Sequence, residues 1–151
     1  MAVSQKCQYA LRALFELAKR RDEGPVGVQA IAATQAIPAR FLEVILQQLR
    51  QAGLVQSRRG TLGGYVLGVS PESLTVADIV ETIDGSLAPV KCIGDGDRAE
   101  RHCALLGGCA FMGLWKRAQN AVAEVYKNTT IRDLIDSEQF VTIGDSPDYT
   151  I

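Results

Sequence analysis

The chain has 151 residues, of which 47% are hydrophobic, a size that allows one hydrophobic core and a short appended element. It lacks the run of about 18 apolar residues that a membrane span requires. Its start, MAVSQKCQYALRAL, lacks the charged-then-apolar order of a signal peptide. We therefore expect a cytoplasmic protein without a membrane partner. Reducing conditions there make metal binding or redox sensing by cysteines more common than structural disulfides.

The net charge is only −1, but the charged residues are unevenly divided along the chain. Residues 1–65 contain nine Lys and Arg against four Asp and Glu, whereas residues 66–151 contain seven against thirteen. A basic half can approach nucleic-acid phosphates while an acidic half is kept away from them. The asymmetry favours nucleic-acid binding by the first half, although two ordinary solvated faces would give the same counts.

The first half of the chain has the element order of a winged helix–turn–helix. Apolar residues at helical spacing predict a first helix that stops before Gly24 and Pro25. A short helix over 28–34 follows, and Pro38 opens a longer helix that ends near Gln51. The buried side of this longer helix is predicted to carry Phe41, Leu42, Ile45, Leu46 and Leu49.

Two short strands, 54–58 and 65–67, flank a glycine-rich turn and predict a hairpin that forms the wing. In such a domain the second helix of the helix–turn–helix enters the major groove, and the wing reaches the adjacent backbone or minor groove. The predicted fold class is therefore mainly α, a winged helix–turn–helix with a two-stranded wing and a long C-terminal helix.

Three further helices are predicted in the second half. Thr75 with Asp78 and Thr130 with Asp133 resemble capping boxes, which open a helix closed by Gly85 and a short last helix. Between them, an amphipathic helix over 113–126 carries an apolar stripe. Antiparallel packing against a second copy would bury this stripe and would suit a palindromic DNA site. The alternative is that the helix folds back onto its own winged domain.

These elements divide the chain into four segments. We expect a DNA-binding domain over 1–84, a cysteine-bearing segment over 85–112, a dimerisation helix with the last helix over 113–139, and a flexible tail over 140–151.

DNA contacts are predicted on the exposed side of the longer helix and in the wing. Arg can bind guanine O6 and N7, Gln can bind adenine N6 and N7, and Glu can accept from cytosine N4. Wing arginines supply charge, and wing glycines permit close backbone approach. A solvated helix face is the alternative interpretation. The candidates are Arg40, Glu43, Gln47, Arg58, Arg59, Gly60, Thr61, Gly63 and Gly64.

Cys92, Cys103 and Cys109 lie in a segment that otherwise reads as a glycine-rich loop. Clustered thiolates on irregular backbone suit an iron–sulfur cluster or a zinc ion, because soft sulfur ligands can converge there. Two other interpretations remain open from the spacing alone: a redox pair formed by Cys103 and Cys109, or thiols without a ligand. A catalytic triad, P-loop, HExxH or C-x-x-C motif is absent from the sequence, so we expect no enzyme.

The whole pattern resembles the Rrf-type winged-helix regulators. The resemblance is carried by SQKCQYALRALFELA, by the pair Ile37-Pro38 with FLEVILQQLRQAGLV, by the wing SRRGTLGGYVLG, and by the cysteine segment that ends in Leu114-Trp115. It covers roughly residues 3–135. This family includes the iron–sulfur cluster regulator and the nitric-oxide-sensing repressor, so the resemblance implies a homodimer that binds a pseudo-palindromic double-stranded DNA operator.

The resemblance also implies that the three cysteines hold a two-iron or four-iron cluster. Cys103 and Cys109 match the family's second and third ligands, and Cys92 matches the first, with ten residues before Cys103 in place of about five. The family's usual histidine position is Met112 here. Candidates for the fourth ligand are Cys7 or Gln8 from the partner, and His102; a fourth position left to solvent or to a small molecule is the other interpretation. A regulator of the same fold without a cluster, controlled by a partner protein, a metabolite or thiol oxidation, is the alternative function.

Overall fold

The computed structural model describes residues 3–94, 105 and 108–143. In these ranges the chain forms α-helices and one two-stranded antiparallel sheet. In chain order the elements are α1 (Gln5–Lys19), α2 (Val28–Gln35), α3 (Ala39–Gln51), β1 (Val55–Arg58), β2 (Gly64–Leu67), α4 (Val76–Asp84), α5 (Lys91–Gly94), α6 (Met112–Lys127) and α7 (Ile131–Ile143). None of the described helices is long and apolar enough to cross a membrane.

Helix α1 lies at the centre of the fold. Four of its apolar side chains, Ala10, Ala13, Leu14 and Leu17, are almost completely buried in the main core. The helix packs against α2, α3, α4 and α7, so its apolar face is shared by nearly every other element.

The helix–turn–helix formed by α2 and α3 closes through a three-residue turn. Ala36 adopts a left-handed conformation with φ of 50°, which is uncommon for a residue with a side chain. The turn is held because the buried Ile37 anchors it, and the Ile37 amide donates to the Ala32 carbonyl at 2.9 Å. Pro38 then precedes the first residue of α3.

The wing pairs β1 with β2 from Val55 opposite Leu67 to Arg58 opposite Gly64. A third extended segment, which the sequence did not reveal, joins it. Val26 and Tyr65 exchange two backbone hydrogen bonds of 2.9 Å each, so the residues before α2 extend the edge of the sheet. This pairing attaches the wing to the helix–turn–helix.

A second apolar cluster lies where α1 meets α4. Its buried members are Cys7, Val76, Ala77, Val80 and Leu87, with Ala123 and Tyr126 of α6 packed against them. The predicted capping box at Thr75 is present: the Thr75 hydroxyl accepts from the Asp78 amide at 3.1 Å, and the Asp78 carboxylate accepts from the Thr75 amide at 3.0 Å. The cap starts α4 where its apolar face meets this cluster.

Helix α7 corrects the predicted end of the folded chain. It runs to Ile143, so the tail that the sequence placed from residue 140 begins inside a helix; residues 144–151 lie outside the described part. Ile131 and Ile135 are buried against α1, and the amide of Ile131 donates to the carbonyl of Leu74 at 2.9 Å. Beyond Ile135 the helix is joined to α1 by the Lys19–Glu138 ion pair at 2.7 Å, a tertiary contact that the local sequence pattern does not show.

A second correction concerns Phe41. The sequence placed it on the buried side of α3, but its side chain is 65% exposed, whereas Leu42, Ile45, Leu46 and Leu49 are buried as expected. The physical reason is angular: Phe41 lies at the edge of the apolar stripe, where neighbouring α1 does not cover it.

A substitution at Gly64 tests whether its close approach to Val26 stabilises the attachment of the wing. A Cβ placed there would lie 2.5 Å from the backbone C and O of Val26. We expect Gly64→Ala to lower the free energy of unfolding by about 1–3 kcal/mol, because backbone atoms must shift. Chemical denaturation measures the change.

Gly113→Ala is the matched control. It adds a Cβ to open space in α6, so it should be neutral or slightly stabilising. Equal stability of the two variants would show that the close approach of Gly64 and Val26 does not constrain the fold.

Candidate DNA interface and cysteine segment

The polar face of α3 is the first candidate surface. Arg40, Glu43 and Gln47 are all exposed, and their spacing of three and four residues places them on one side of the helix. The opposite side lies in the main core. Among the residues that the structure describes, these three side chains form neither ion pairs nor side-chain hydrogen bonds. Their polar groups are therefore available to an outside partner.

The wing presents cations beside this face of the domain. Arg58 ends β1 and Arg59 begins the turn, and both are exposed and form no ion pair within the described ranges. Gly60 and Thr61 are exposed at the turn. Gly60 has φ of 120° and open space around its Cα, so a phosphate oxygen could approach its backbone closely.

The other two wing glycines have an intramolecular role that the sequence did not show. A Cβ on Gly63 would lie 2.6 Å from the carbonyl oxygen of Arg58, and one on Gly64 would meet the Val26 backbone. The Gly63 amide also donates to the Gly60 carbonyl at 2.9 Å, which closes the turn. Close packing within the wing at Gly63, and of the wing against Val26 at Gly64, therefore requires glycine at both positions, independently of any DNA contact.

The cysteine segment is described only at its two ends. Cys92 lies in the one-turn helix α5, and Cys109 precedes α6, where its carbonyl accepts from the Met112 amide at 3.2 Å. Both thiols are free and half-buried, and α5 contacts α6. Cys103 and His102 lie outside the described residues. Within the described part, His, Cys, Asp and Glu do not assemble into a group of three or more.

The two fourth-ligand candidates on α1 differ sharply in their surroundings. The Cys7 side chain is completely buried, and burial, with a smaller contribution from the charge of Asp84, raises the pKa of this thiol to about 11. A protonated, enclosed thiol is a poor ligand, so the geometry within one chain does not favour Cys7. Gln8 is exposed, and its amide nitrogen donates to the Val3 carbonyl at 3.0 Å, which leaves its oxygen free to accept a bond.

Helix α4 connects the cysteine segment to α3. Gln48, on the half-buried flank of α3, donates from Nε2 to the carbonyl of Thr82 at 3.0 Å. At the end of α4, the Asp84 carboxylate accepts from the amide and hydroxyl of Ser4, the N-cap of α1. Three residues later Leu87 is buried in the second cluster. Neither the Gln48 bond nor the Ser4–Asp84 contact could be predicted from the sequence, since both depend on tertiary geometry.

Comparison with known proteins identifies the class to which this fold and site belong. The sequence matches the family described as “Rrf2: Iron-dependent Transcriptional regulator” over residues 3–137. The chain belongs to the Rrf2 family. The expectation of a winged-helix transcription regulator that binds DNA is therefore confirmed.

Among its relatives is the HTH-type transcriptional regulator CymR of Bacillus subtilis, which is 39% identical over 142 residues, or 92% of this chain and 95% of CymR. The solved structure of that protein, described as the global cysteine regulator of B. subtilis, has a TM-score of 0.71 and 36% identity, covering 96% of this chain and 99% of its own. IscR of T. potens has a TM-score of 0.77 and 28% identity over 99% of this chain and 97% of its own. The oxidized form of Staphylococcus aureus CymR has a TM-score of 0.69 and 31% identity over 89% of this chain and 95% of its own.

The raised pKa of Cys7 leads to a prediction about thiol reactivity. In folded, cluster-free, reduced protein at about pH 8.5, iodoacetamide should modify Cys92 and Cys109 well before Cys7, because the thiolate is the reactive form. Peptide mass spectrometry measures the order. As the pH rises toward 11, Cys7 ionises in turn and its lag should shrink. Denatured protein is the control, in which all cysteines should react alike; a fast Cys7 in folded protein would contradict the burial.

Proposed function

We propose that this Rrf2-family regulator binds its operator as a homodimer and that Cys92, Cys103 and Cys109 hold an iron–sulfur cluster whose state changes DNA affinity. The observation that carries the proposal is the connection through α4. The cysteine segment starts directly after a helix that is hydrogen-bonded to α3 through Gln48 and Thr82. A change in this segment therefore has a short physical route to the DNA-reading helix.

Direct reading of bases is assigned to α3 and phosphate binding to the wing. Arg40, Glu43 and Gln47 supply the donors and acceptors that distinguish base edges in the major groove. Arg58 and Arg59 neutralise phosphates, which adds affinity without regard to sequence. Within the described residues these side chains form no ion pairs, which supports the assignment, because an internal ion pair would have to break before the side chain could bind DNA.

Dimerisation is assigned to α6. One of its faces packs on its own domain through Ala123 and Tyr126. On another face, Leu114 and Val125 are 47% and 61% exposed, so the apolar stripe of the helix is not covered within one chain. A second copy would cover this stripe and would place two reading helices for the half-sites of a pseudo-palindromic operator.

The donor set fits an iron–sulfur cluster. Cys92 and Cys109 are free thiols of intermediate exposure at the two ends of one segment, and the family carries an iron-dependent description. With Cys103 they would supply three thiolates. Gln8 of the partner or His102 would complete the set, and Cys7 is the less favourable choice because it is protonated and enclosed. A bound cluster would join the ends of the segment and thereby restrain α4 relative to α6.

The size of such an effect is within the range of ordinary allosteric coupling. A coupling free energy of about 1–3 kcal/mol corresponds to a change of roughly 5- to 150-fold in operator affinity. Loss of the Gln48–Thr82 hydrogen bond alone would cost about 0.5–1.5 kcal/mol of stabilisation. The contacts along α4 are therefore strong enough to transmit a regulatory signal and weak enough to be rearranged by one.

A second candidate function is regulation by thiol oxidation or by a partner without a cluster. It is favoured by the 39% identity to CymR, described as a cysteine regulator, and by the existence of an oxidized form of the S. aureus protein. In this case Cys103 and Cys109 would form the responsive pair. The DNA-binding surface and the route through α4 would be the same.

Operator binding tests the DNA assignment. Arg59→Ala should weaken binding to all sequences and lower the slope of log affinity against log salt by about one, because one phosphate contact is lost. Gln47→Ala should instead change which base is preferred at one position. Fluorescence anisotropy at several salt concentrations measures both.

Arg132→Ala is the matched control, because it also removes one positive charge but does so on α7, outside the wing. Arg132 is paired there with Asp136. If Arg59→Ala and Arg132→Ala behave alike, the wing is not a phosphate-binding element.

Anaerobic reconstitution with iron and sulfide tests the cluster. Wild-type protein should take up both and become coloured, whereas Cys92→Ala, Cys103→Ala and Cys109→Ala should retain little of either. Cys7→Ala is the control and should load normally, because its side chain is enclosed between α1 and α4. Operator affinity is measured for each form.

Two results would contradict the cluster. One is a wild-type protein that binds no iron, and the other is operator affinity that is identical with and without iron and sulfide. An iron-free wild type whose DNA binding responds to peroxide, and loses that response in Cys103→Ala, would establish the second candidate function instead.

A further inference from the structure

The reading helix carries an exposed apolar patch that the polar contacts do not use. Val44 is 59% exposed and Phe41 is 65% exposed, and both lie within the first two turns of α3. Val44 follows Arg40 by four residues and precedes Gln47 by three, so it lies between the two on the same side of the helix. An apolar side chain thus stands in the middle of the proposed base-reading face.

This patch forms part of a cleft between the start of α1 and α3. The cleft has a volume of about 480 Å³ and is lined by Gln5, Lys6, Tyr9, Phe41, Val44 and Ile45. Its floor is formed by the buried Ile45 and by the half-buried Tyr9 ring, whose centroid lies 5.8 Å from the guanidinium carbon of Arg12. Its rim carries the exposed cation of Lys6.

From this placement we infer that Val44 and Phe41 read thymine by packing against its C5-methyl group in the major groove. The thymine methyl is the only apolar group on a base edge there, and exposed apolar side chains on a recognition helix select it. The patch is continuous with Arg40 and Gln47, and Lys6 offers a charge to the neighbouring phosphate. Both features favour DNA over a second protein chain as the occupant.

This inference rests on the proposed role of α3 as the reading helix. It adds a specificity that hydrogen-bonding residues cannot supply, because an amide or guanidinium does not distinguish thymine from uracil. Burying one methyl contributes about 0.8 kcal/mol, which corresponds to a change in affinity of about fourfold.

Methyl deletion in the DNA tests it directly. An operator is selected from random duplexes with the full-length protein, and each thymine is then replaced singly by deoxyuridine. Wild-type affinity should fall about fourfold at one or two thymines in each half-site. Val44→Ala or Phe41→Ala should bind the thymine operator less tightly and should lose the penalty at one of these positions. Thermal unfolding followed by circular dichroism verifies that these surface variants are folded.

Leu62→Ala is the matched control. Leu62 is an 89% exposed apolar side chain on the wing and lies outside the cleft, so its loss should leave the deoxyuridine penalty unchanged.

Three outcomes would overturn the inference. If no replacement of thymine by deoxyuridine changes affinity, methyl recognition is refuted, while the proposed role of α3 in DNA recognition still stands. A penalty that persists in both Val44→Ala and Phe41→Ala assigns the methyl contact to other residues. A variant that changes the sedimentation of the DNA-free protein, with an unaltered penalty, shows that a second copy covers the patch. A wild-type protein that selects no sequence would refute the reading helix itself.

Discussion

The burial of the apolar face of α1 is the interaction on which the rest of the molecule depends. Ala10, Ala13, Leu14 and Leu17 fill the space between the helix–turn–helix, α4 and α7. Truncation of one such leucine typically costs about 2–5 kcal/mol, a large part of the stability of a small domain. Because one helix holds both the reading helix and α4, displacement of either element changes the packing of the other. Helix α1 therefore contacts both α3, with its exposed polar face, and α4, which leads into the cysteine segment.

Most of the winged helix could be predicted from the sequence because its signals are local. Helical spacing fixes α1 and α3, the Thr75–Asp78 pair fixes the start of α4, and glycine at the wing turn fixes the hairpin. The pairing of Val26 with Tyr65 could not be predicted, because it joins residues far apart in sequence. The length of α7 was not predicted either, because the Lys19–Glu138 ion pair that joins its extension to α1 connects residues far apart in sequence.

The same distinction between local signals and tertiary contacts applies to the candidate site residues. Residue type and spacing were enough to select Arg40, Glu43 and Gln47, and the structure places all three on one exposed face. The sequence could not show that Phe41 is exposed, that Cys7 is enclosed, or that Gln48 bonds to α4, since each depends on which helix lies nearby. Ligands for a cluster remain a prediction from the sequence, with Cys92 and Cys109 placed at the ends of the segment and Cys103 outside the described residues.

The proposed regulation depends on coupling between the cysteine segment and α3 through α4. Amide hydrogen exchange of the DNA-free protein, with and without iron and sulfide, measures this coupling. Loading with iron and sulfide should slow exchange in α4 and in the part of α3 around Gln48, and Gln48→Ala should confine the slowing to α4. Slowing restricted to the cysteine segment and α6, with α3 and α4 unchanged, would contradict it.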